Sequence, residues 1–222
     1  MHDLDRQIDY WNRIGPGKPF GHPMNFERLG QWLARDHRIL DFGCGYGRVL
    51  GLLHHSGYHN LIGVDPASAM IAAARARFPA ITFEQLVSSP RLSLPEASVD
   101  ATLLFTVLTC VPTDAGQRAI VREIGRVLRP GGLLYISDLW LQTDARNVER
   151  YLRDEPKYGK YGVFDLPEGV TVRHHDRTWI DELTRGYEPV ALDDVQVQTM
   201  NGHSANGFQW FGLKPRHMKN VA

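Results

Sequence analysis

Arg38-Ile39-Leu40-Asp41-Phe42-Gly43-Cys44-Gly45-Tyr46-Gly47-Arg48, followed by Leu61-Ile62-Gly63-Val64-Asp65, decides the fold. A short apolar run ends in an acid and opens into Gly-x-Gly-x-Gly. A second apolar run ends in another acid. The pattern predicts strand, glycine-rich turn, helix, strand, with a carboxylate closing each strand. In a parallel sheet, ligands sit outside the carboxyl ends of the strands, so both acids and the turn face one crevice. Glycine lets the backbone come close to a ligand, and the next helix offers unsatisfied N–H groups. An acid at the tip of the second strand suits a ribose diol.

The spacing departs from the dinucleotide pattern, whose third glycine falls here on Arg48. Asp41, two residues before the first glycine, would repel a pyrophosphate but suits an ammonium group. A ligand with adenosine at one end and an amino acid at the other, S-adenosylmethionine, meets both demands. At these residues the chain resembles the class I (Rossmann-like) S-adenosylmethionine-dependent methyltransferases. The resemblance continues in order through Ser98-Val99-Asp100-Ala101-Thr102-Leu103-Leu104-Phe105, similar to the family's fourth strand. It extends to Arg126-Val127-Leu128-Arg129-Pro130-Gly131-Gly132, similar to the turn into its fifth.

Strands are expected at about 38–42, 61–65, 81–86, 99–106 and 132–138, and helices at about 26–35, 47–56, 67–77 and 113–129. This alternation predicts an α/β fold, a parallel sheet with helices on both faces. A short charged helix at about 144–153, a helix at about 178–185, an alternating run at 189–200 and a last strand at 207–213 follow. Tyr10 to Pro23, aromatic and proline-rich, reads as extended or lid-like, and Lys157 to Phe164 as loop or hairpin. The resemblance implies a three-layer, doubly wound, mostly parallel seven-stranded sheet with a C-terminal antiparallel hairpin, order 3-2-1-4-5-7-6. It divides the chain into an N-terminal lid or helical segment, 1–37, and a methyltransferase domain, 38–222, carrying a substrate-cap insertion at about 140–177.

The chain has 222 residues, 43% hydrophobic, with 25 basic against 25 acidic side chains. Zero net charge gives no electrostatic case for a nucleic-acid partner. No apolar run is long enough for a bilayer, and no signal peptide is visible after the charged start. Cys44 and Cys110 form no metal spacing, so no metal is expected, and two thiols point to a reducing, cytoplasmic setting.

For the cofactor, the resemblance implies Asp41, Gly43, Gly45 and Gly47 at the methionine end and Asp65 on the ribose. Pro66 and Met70 would pack on the adenine, with Ser88 near its amino group, where the family's usual acid is missing. Phe105 and Thr106 would run beneath the cofactor, and Tyr10 and Trp11 would cover it. Thr109, Tyr158, Tyr161 and His22 are expected to bind the acceptor. His174, His175 and Asp138 are the expected catalytic groups, a histidine serving as base. Cys110 reads as core, and the N-P-P-Y motif of amino-group methylation on bases or glutamine is absent. The function implied is in-line methyl transfer to O or N of a small-molecule metabolite. The alternatives are a nicotinamide-dependent oxidoreductase and a non-catalytic protein that binds S-adenosylmethionine or its homocysteine product. Acceptor identity and oligomeric state are not legible.

Overall fold

In the computed structural model, which describes residues 5–216, adjacent apolar residues of the central strands go to opposite sides of the sheet. Ile39, Leu61, Leu103 and Leu133 join one core cluster, whereas Leu40, Ile62, Leu104 and Leu134 join the other. Side chains alternate along a strand, so a continuous apolar run is what a sheet covered on both faces requires. The central strands are β1 (Ile39–Phe42), β2 (Leu61–Asp65), β3 (Thr82–Gln85), β4 (Val99–Phe105) and β5 (Leu128–Leu139). All pair in parallel.

Helices α3 (Arg48–His55) and α4 (Ser68–Arg77) cover the first face. The second face is covered by α5 (Asp114–Val127) and α7 (Arg177–Leu183). The C-terminal strands β8 (Glu188–Gln198) and β9 (Ser204–Leu213) form an antiparallel hairpin, and β9 also pairs antiparallel with β5. The sheet order is β3-β2-β1-β4-β5-β9-β8. With the two strands of the insertion left out of the count, this is the expected 3-2-1-4-5-7-6.

Two regions differ from expectation. Tyr10 to Pro23 is not irregular throughout, because α1 spans Ile8–Ile14 and a 3₁₀ turn spans Gly15–Gly17. Tyr10 is buried in a third apolar cluster, which supplies the tertiary packing a seven-residue helix needs. The helix expected over 26–35 is shorter: α2 stops at Gly30. The insertion carries α6 (Ala145–Tyr158) and a hairpin, β6 (Val163–Asp165) with β7 (Thr171–Arg173). Tyr158 is therefore helical. Asp144 caps α6 by accepting from Asn147 N–H at 3.2 Å, and Gly159 ends it at φ 64°.

The third cluster joins these two departures. Tyr10, Trp11 and Ile14 from α1 pack with Tyr151, Phe164, Val170 and Val172 of the insertion. Gln7 strengthens the joint: its amide donates to Thr171 O at 2.7 Å and its carbonyl accepts from Thr171 N–H. The result is a roof over the carboxyl ends of β1, β4 and β5. The outer ends of the expected segments, 1–4 and 217–222, lie outside the described residues.

Candidate active site

The turn after β1 owes its shape to its glycines. Gly43, Gly45 and Gly47 have φ of 75°, 53° and 82°, values that L side chains rarely adopt. Space excludes side chains too: a Cβ on Gly43 would lie 2.5 Å from Val107 Cγ2, and one on Gly47 2.8 Å from Phe83 Cζ. Gly43 N–H and Cys44 N–H donate to Val64 O at 2.8 and 3.0 Å, tying the turn to the end of β2.

Asp65 accepts from Gly45 N–H at 3.0 Å and from Ala67 N–H at 2.8 Å. Burial pushes its carboxyl up to about 6, against those two hydrogen bonds. A carboxylate offers about four acceptor sites, so capacity remains for a diol. Asp41 is more extreme. It is buried, and neither oxygen has a hydrogen-bond partner among the described residues. Burial raises its carboxyl to about 8, with Arg48 opposing. A buried, unpaired acid is costly unless something completes it, and a cationic ligand group does so.

Beside the turn lies a cavity of about 730 Å³ of empty space, its open mouth included. Gly43, Gly45, Asp65, Pro66, Met70, Phe105 and Thr106 line it. Asp41 and Gly47 support the turn from behind and are not in its lining. The residues fit an adenosyl amino acid: a diol acceptor, apolar walls and an uncompensated carboxylate behind a glycine turn. Ser88 does not contribute; it is exposed, and Ser89 takes the place on the wall.

A second cavity, of about 810 Å³, opens on the far side of Thr106. Trp11, Phe20, Thr106 and Cys110 border both cavities. Thr106 ends β4 at φ 56°, a left-handed conformation that is uncommon for threonine and characteristic of functional sites. Its hydroxyl donates to Phe105 O at 2.7 Å. The Cys110 thiol donates to Thr106 O at 3.1 Å, and burial pushes it up, so it stays protonated.

The expected acceptor and catalytic residues separate. His22, Thr109 and His174 line the second cavity. Burial lowers His22 to about 4, and its Nδ1 lies 3.0 Å from Ser137 Oγ. Tyr158 and Tyr161 line neither cavity: Tyr158 Oη donates to Asp165 at 2.6 Å, and Tyr161 lies edge-on against Tyr151. Tyr10 is buried under Trp11, 4.9 Å away edge-on, and only Trp11 reaches the cavities.

His175 and Asp138 line neither cavity. His175 Nδ1 bonds Leu139 O at 3.2 Å and Nε2 lies 3.0 Å from Gln117 Nε2, deep in a core network. Asp138 is fully buried and accepts from Thr109 N–H at 3.1 Å and Leu139 N–H at 2.8 Å. It holds the backbone of the 3₁₀ turn at Leu108–Cys110 in place. Successive residues leaving β7 point to opposite sides, which sends His174 to the cavity and His175 to the core.

His174 has a defined hydrogen-bond state. Tyr151 Oη accepts from Gln142 N–H at 3.1 Å and lies 2.5 Å from His174 Nδ1. Among the described residues its own hydrogen has no other acceptor, which assigns that hydrogen to Nδ1. The imidazole is then neutral with its hydrogen on Nε2, and burial holds it down at about 3. Sequence reasoning missed Arg146, Asn147 and Arg150 of α6 and Gln198 of β8, which also line this cavity, as does His203 from the β8–β9 turn. An arginine pair four residues apart was the available signal, but its direction depends on how α6 packs.

Among the described residues no helix is long and apolar enough to cross a membrane, and no group of three or more His, Cys, Asp or Glu is placed to hold a metal ion. The profile of the family described as "Methyltransferase domain" matches residues 40–136. An uncharacterized methyltransferase of Mycobacterium tuberculosis is 32% identical over 201 residues, covering 86% of this chain and 76% of the relative. A ubiquinone biosynthesis O-methyltransferase of Idiomarina loihiensis is 26% identical over 210 residues, covering 90% and 81%. Other curated relatives match over less of their own length: the chain spans 61% of one and 45% of another. The crystal structure of a SAM-dependent methyltransferase from Methanosarcina mazei superposes with a TM-score of 0.82 at 24% identity, covering 88% of this chain and 100% of that one.

Proposed function

Since the chain belongs to the class I S-adenosylmethionine-dependent methyltransferases, with S-adenosylmethionine as its cofactor, we propose that it transfers the methyl group to O or N of a small molecule held in the second cavity. The nicotinamide alternative falls with that membership. The carrying observation is the shared wall: Trp11, Phe20, Thr106 and Cys110 border both cavities, so donor and acceptor meet there.

When bound, S-adenosylmethionine supplies a methyl group on a positively charged sulfur. Asp41 and the glycine turn would hold its amino acid end, Asp65 its ribose, and Pro66 and Met70 its base. Trp11 and Phe20 close the junction and exclude water, and the aromatic faces suit a cation. Alignment in a dry site is the main contribution asked of the protein, and orientation alone is worth roughly 7–11 kcal/mol. His174 acts here as a neutral hydrogen-bond donor, because its Nδ1 already accepts from Tyr151. The nucleophile therefore arrives already deprotonated, as an ionised oxygen or a neutral amine, or loses its proton to water. Residues 140–177 serve as the acceptor cap and α1 as the lid. A cytoplasmic setting remains part of this reading, resting on Cys44 and Cys110 as free thiols.

The test is S-adenosylhomocysteine formation by the purified protein against a library of small phenols, acids and amines, with bulk RNA and denatured protein as competing acceptors. Acceptor-dependent turnover with small molecules supports the reading. Turnover confined to the macromolecules would sink it.

A further inference from the structure

The second cavity carries one charge pattern throughout. Arg146 and Arg150 stand four residues apart on α6, so they share a face, and both line the cavity. Burial and the neighbouring charges of Arg146 and Arg153 lower the Arg150 guanidinium, with Asp144 and Glu168 opposing. Elsewhere on the molecule arginines are matched to carboxylates: Arg28 to Asp193, Arg118 to Glu182, Arg173 to Asp114. Arg150 has neither an ion pair nor a hydrogen bond among the described residues, and its guanidinium lies 5.7 Å over the ring of Phe164. Arg146 has only a loose contact to Asp144, 3.9 Å.

The remaining polar lining agrees. No Asp or Glu lines this cavity among the described residues. His174 presents Nε2–H, since its other nitrogen is occupied by Tyr151. Its Nε2 is not among the buried unpaired atoms, so it opens to the cavity. Apolar side chains, Leu139, Phe164, Leu166, Val172 and Met200, share the wall with uncharged polar ones such as Asn147, Gln198 and Asn201. Two guanidinium groups and one imidazole N–H thus line one cavity, Arg150 without an ion pair among the described residues and Arg146 with only its loose contact to Asp144.

We propose that the methyl acceptor is a small carboxylic acid with an apolar body, its carboxylate held by Arg150 and Arg146 and by His174 Nε2–H. The inference rests on the reading of the second cavity as the acceptor site. A planar guanidinium matches a carboxylate with two parallel hydrogen bonds, and such charge-assisted pairs are about twice as strong as neutral ones. The carboxylate is the handle, placed on the α6 side; the O or N that receives the methyl group is a different atom, facing the Thr106 junction. A carboxamide of the same shape turns an NH₂ toward the two guanidinium groups and His174 N–H and is disfavoured, because those donors are then left unpaired.

The experiment is calorimetric binding of three matched pairs, phenylacetate, 3-phenylpropanoate and hexanoate with their carboxamides. It is run on the full chain with and without saturating S-adenosylhomocysteine. The expected result is at least one carboxylate binding tenfold or more tightly than its amide. The preference should vanish in Arg150→Gln and be partly restored in Arg150→Lys, with S-adenosylhomocysteine affinity unchanged in both. Equal binding of acids and amides, or a preference that survives Arg150→Gln, overturns the inference. S-adenosylhomocysteine failing to bind instead overturns the cofactor half of the function, and the arms without it still decide whether Arg150 selects carboxylates. Thermal midpoints of both variants within a few degrees of the parent separate loss of binding from loss of fold.

Discussion

The proposed cofactor half and the proposed acceptor half of this molecule are built in opposite ways. Asp41 to Gly47 and Asp65 to Met70 lie close in sequence on two adjacent strands, and backbone bonds from Gly43, Cys44 and Gly45 fasten them together. The acceptor half collects Trp11 and Phe20, the end of β4, one face of α6, the residue after β7 and the β8–β9 turn. A local site demands particular residue types at short spacing. An assembled site demands only that distant segments arrive with the right faces, which leaves no short motif. The cofactor half should therefore fail at single residues, and the acceptor half should fail by degrees.

The sharpest test of that contrast is Asp65→Ala, which removes the diol acceptor and leaves Gly45 N–H and Ala67 N–H unpaired. Hydrogen bonds to charged groups are worth about 1.5–3 kcal/mol each, so S-adenosylhomocysteine affinity should fall by roughly 100-fold in calorimetry. A loss below threefold would mean the turn does not depend on this carboxylate.

Asp41 gives the next effect, through protons. Its carboxyl sits near 8 when folded against an ordinary 3.8, so the folded chain holds this proton more tightly than the unfolded chain. That contribution to stability is complete below about pH 4 and is lost as pH rises through 8. Asp41→Asn should flatten the dependence and raise the thermal midpoint of the free protein above pH 8. Binding of a cationic amino acid group favours the ionised carboxylate, so uptake of S-adenosylhomocysteine at pH 7 should release close to one proton. Calorimetry in buffers of different ionisation heat reads this release, which Asp41→Asn should abolish.

The adjacent histidines divide along the same line, with smaller consequences. His175→Ala opens the network of Gln117 and Leu139 and should lower stability by about 1–3 kcal/mol in urea unfolding, with little change in ligand affinity. His174→Ala should do the reverse, raising the acceptor KM several-fold while S-adenosylhomocysteine binding holds. If both variants lose stability and neither changes KM, His174 is a core residue like its neighbour. Ser88→Ala should change S-adenosylhomocysteine affinity by less than twofold, since the residue is exposed off the cavity wall.

The strands and the turn were legible because each rests on local chemistry: an apolar run, a terminal acid, glycines where φ is positive; the strand order came from the resemblance. Asp65 and Met70 do stand on the wall of the first cavity, and Ser88 missed that wall by one residue in an irregular loop. The roof was less legible. Gly15, Pro16 and Gly17 read as disruption, yet Tyr10 is paired with an apolar surface more than a hundred residues away, and that packing makes α1. Tyr158 and Tyr161 looked like pocket residues because aromatic side chains in a loop suggest contact, but α6 continues through Pro156 and turns Tyr158 toward Asp165. The two arginines were visible as charges and not as a site, because the side of α6 they occupy is set by the cap's docking.

One apolar cluster joins α1 to the insertion, and that roof spans both cavities. On the proposed reading of the two cavities, loading and unloading of both chambers would share one gate and one clock. Substitutions that tighten the packing of Tyr10 and Trp11 against Phe164 and Val172 would slow the escape of both products together, so a sturdier protein would be a slower one.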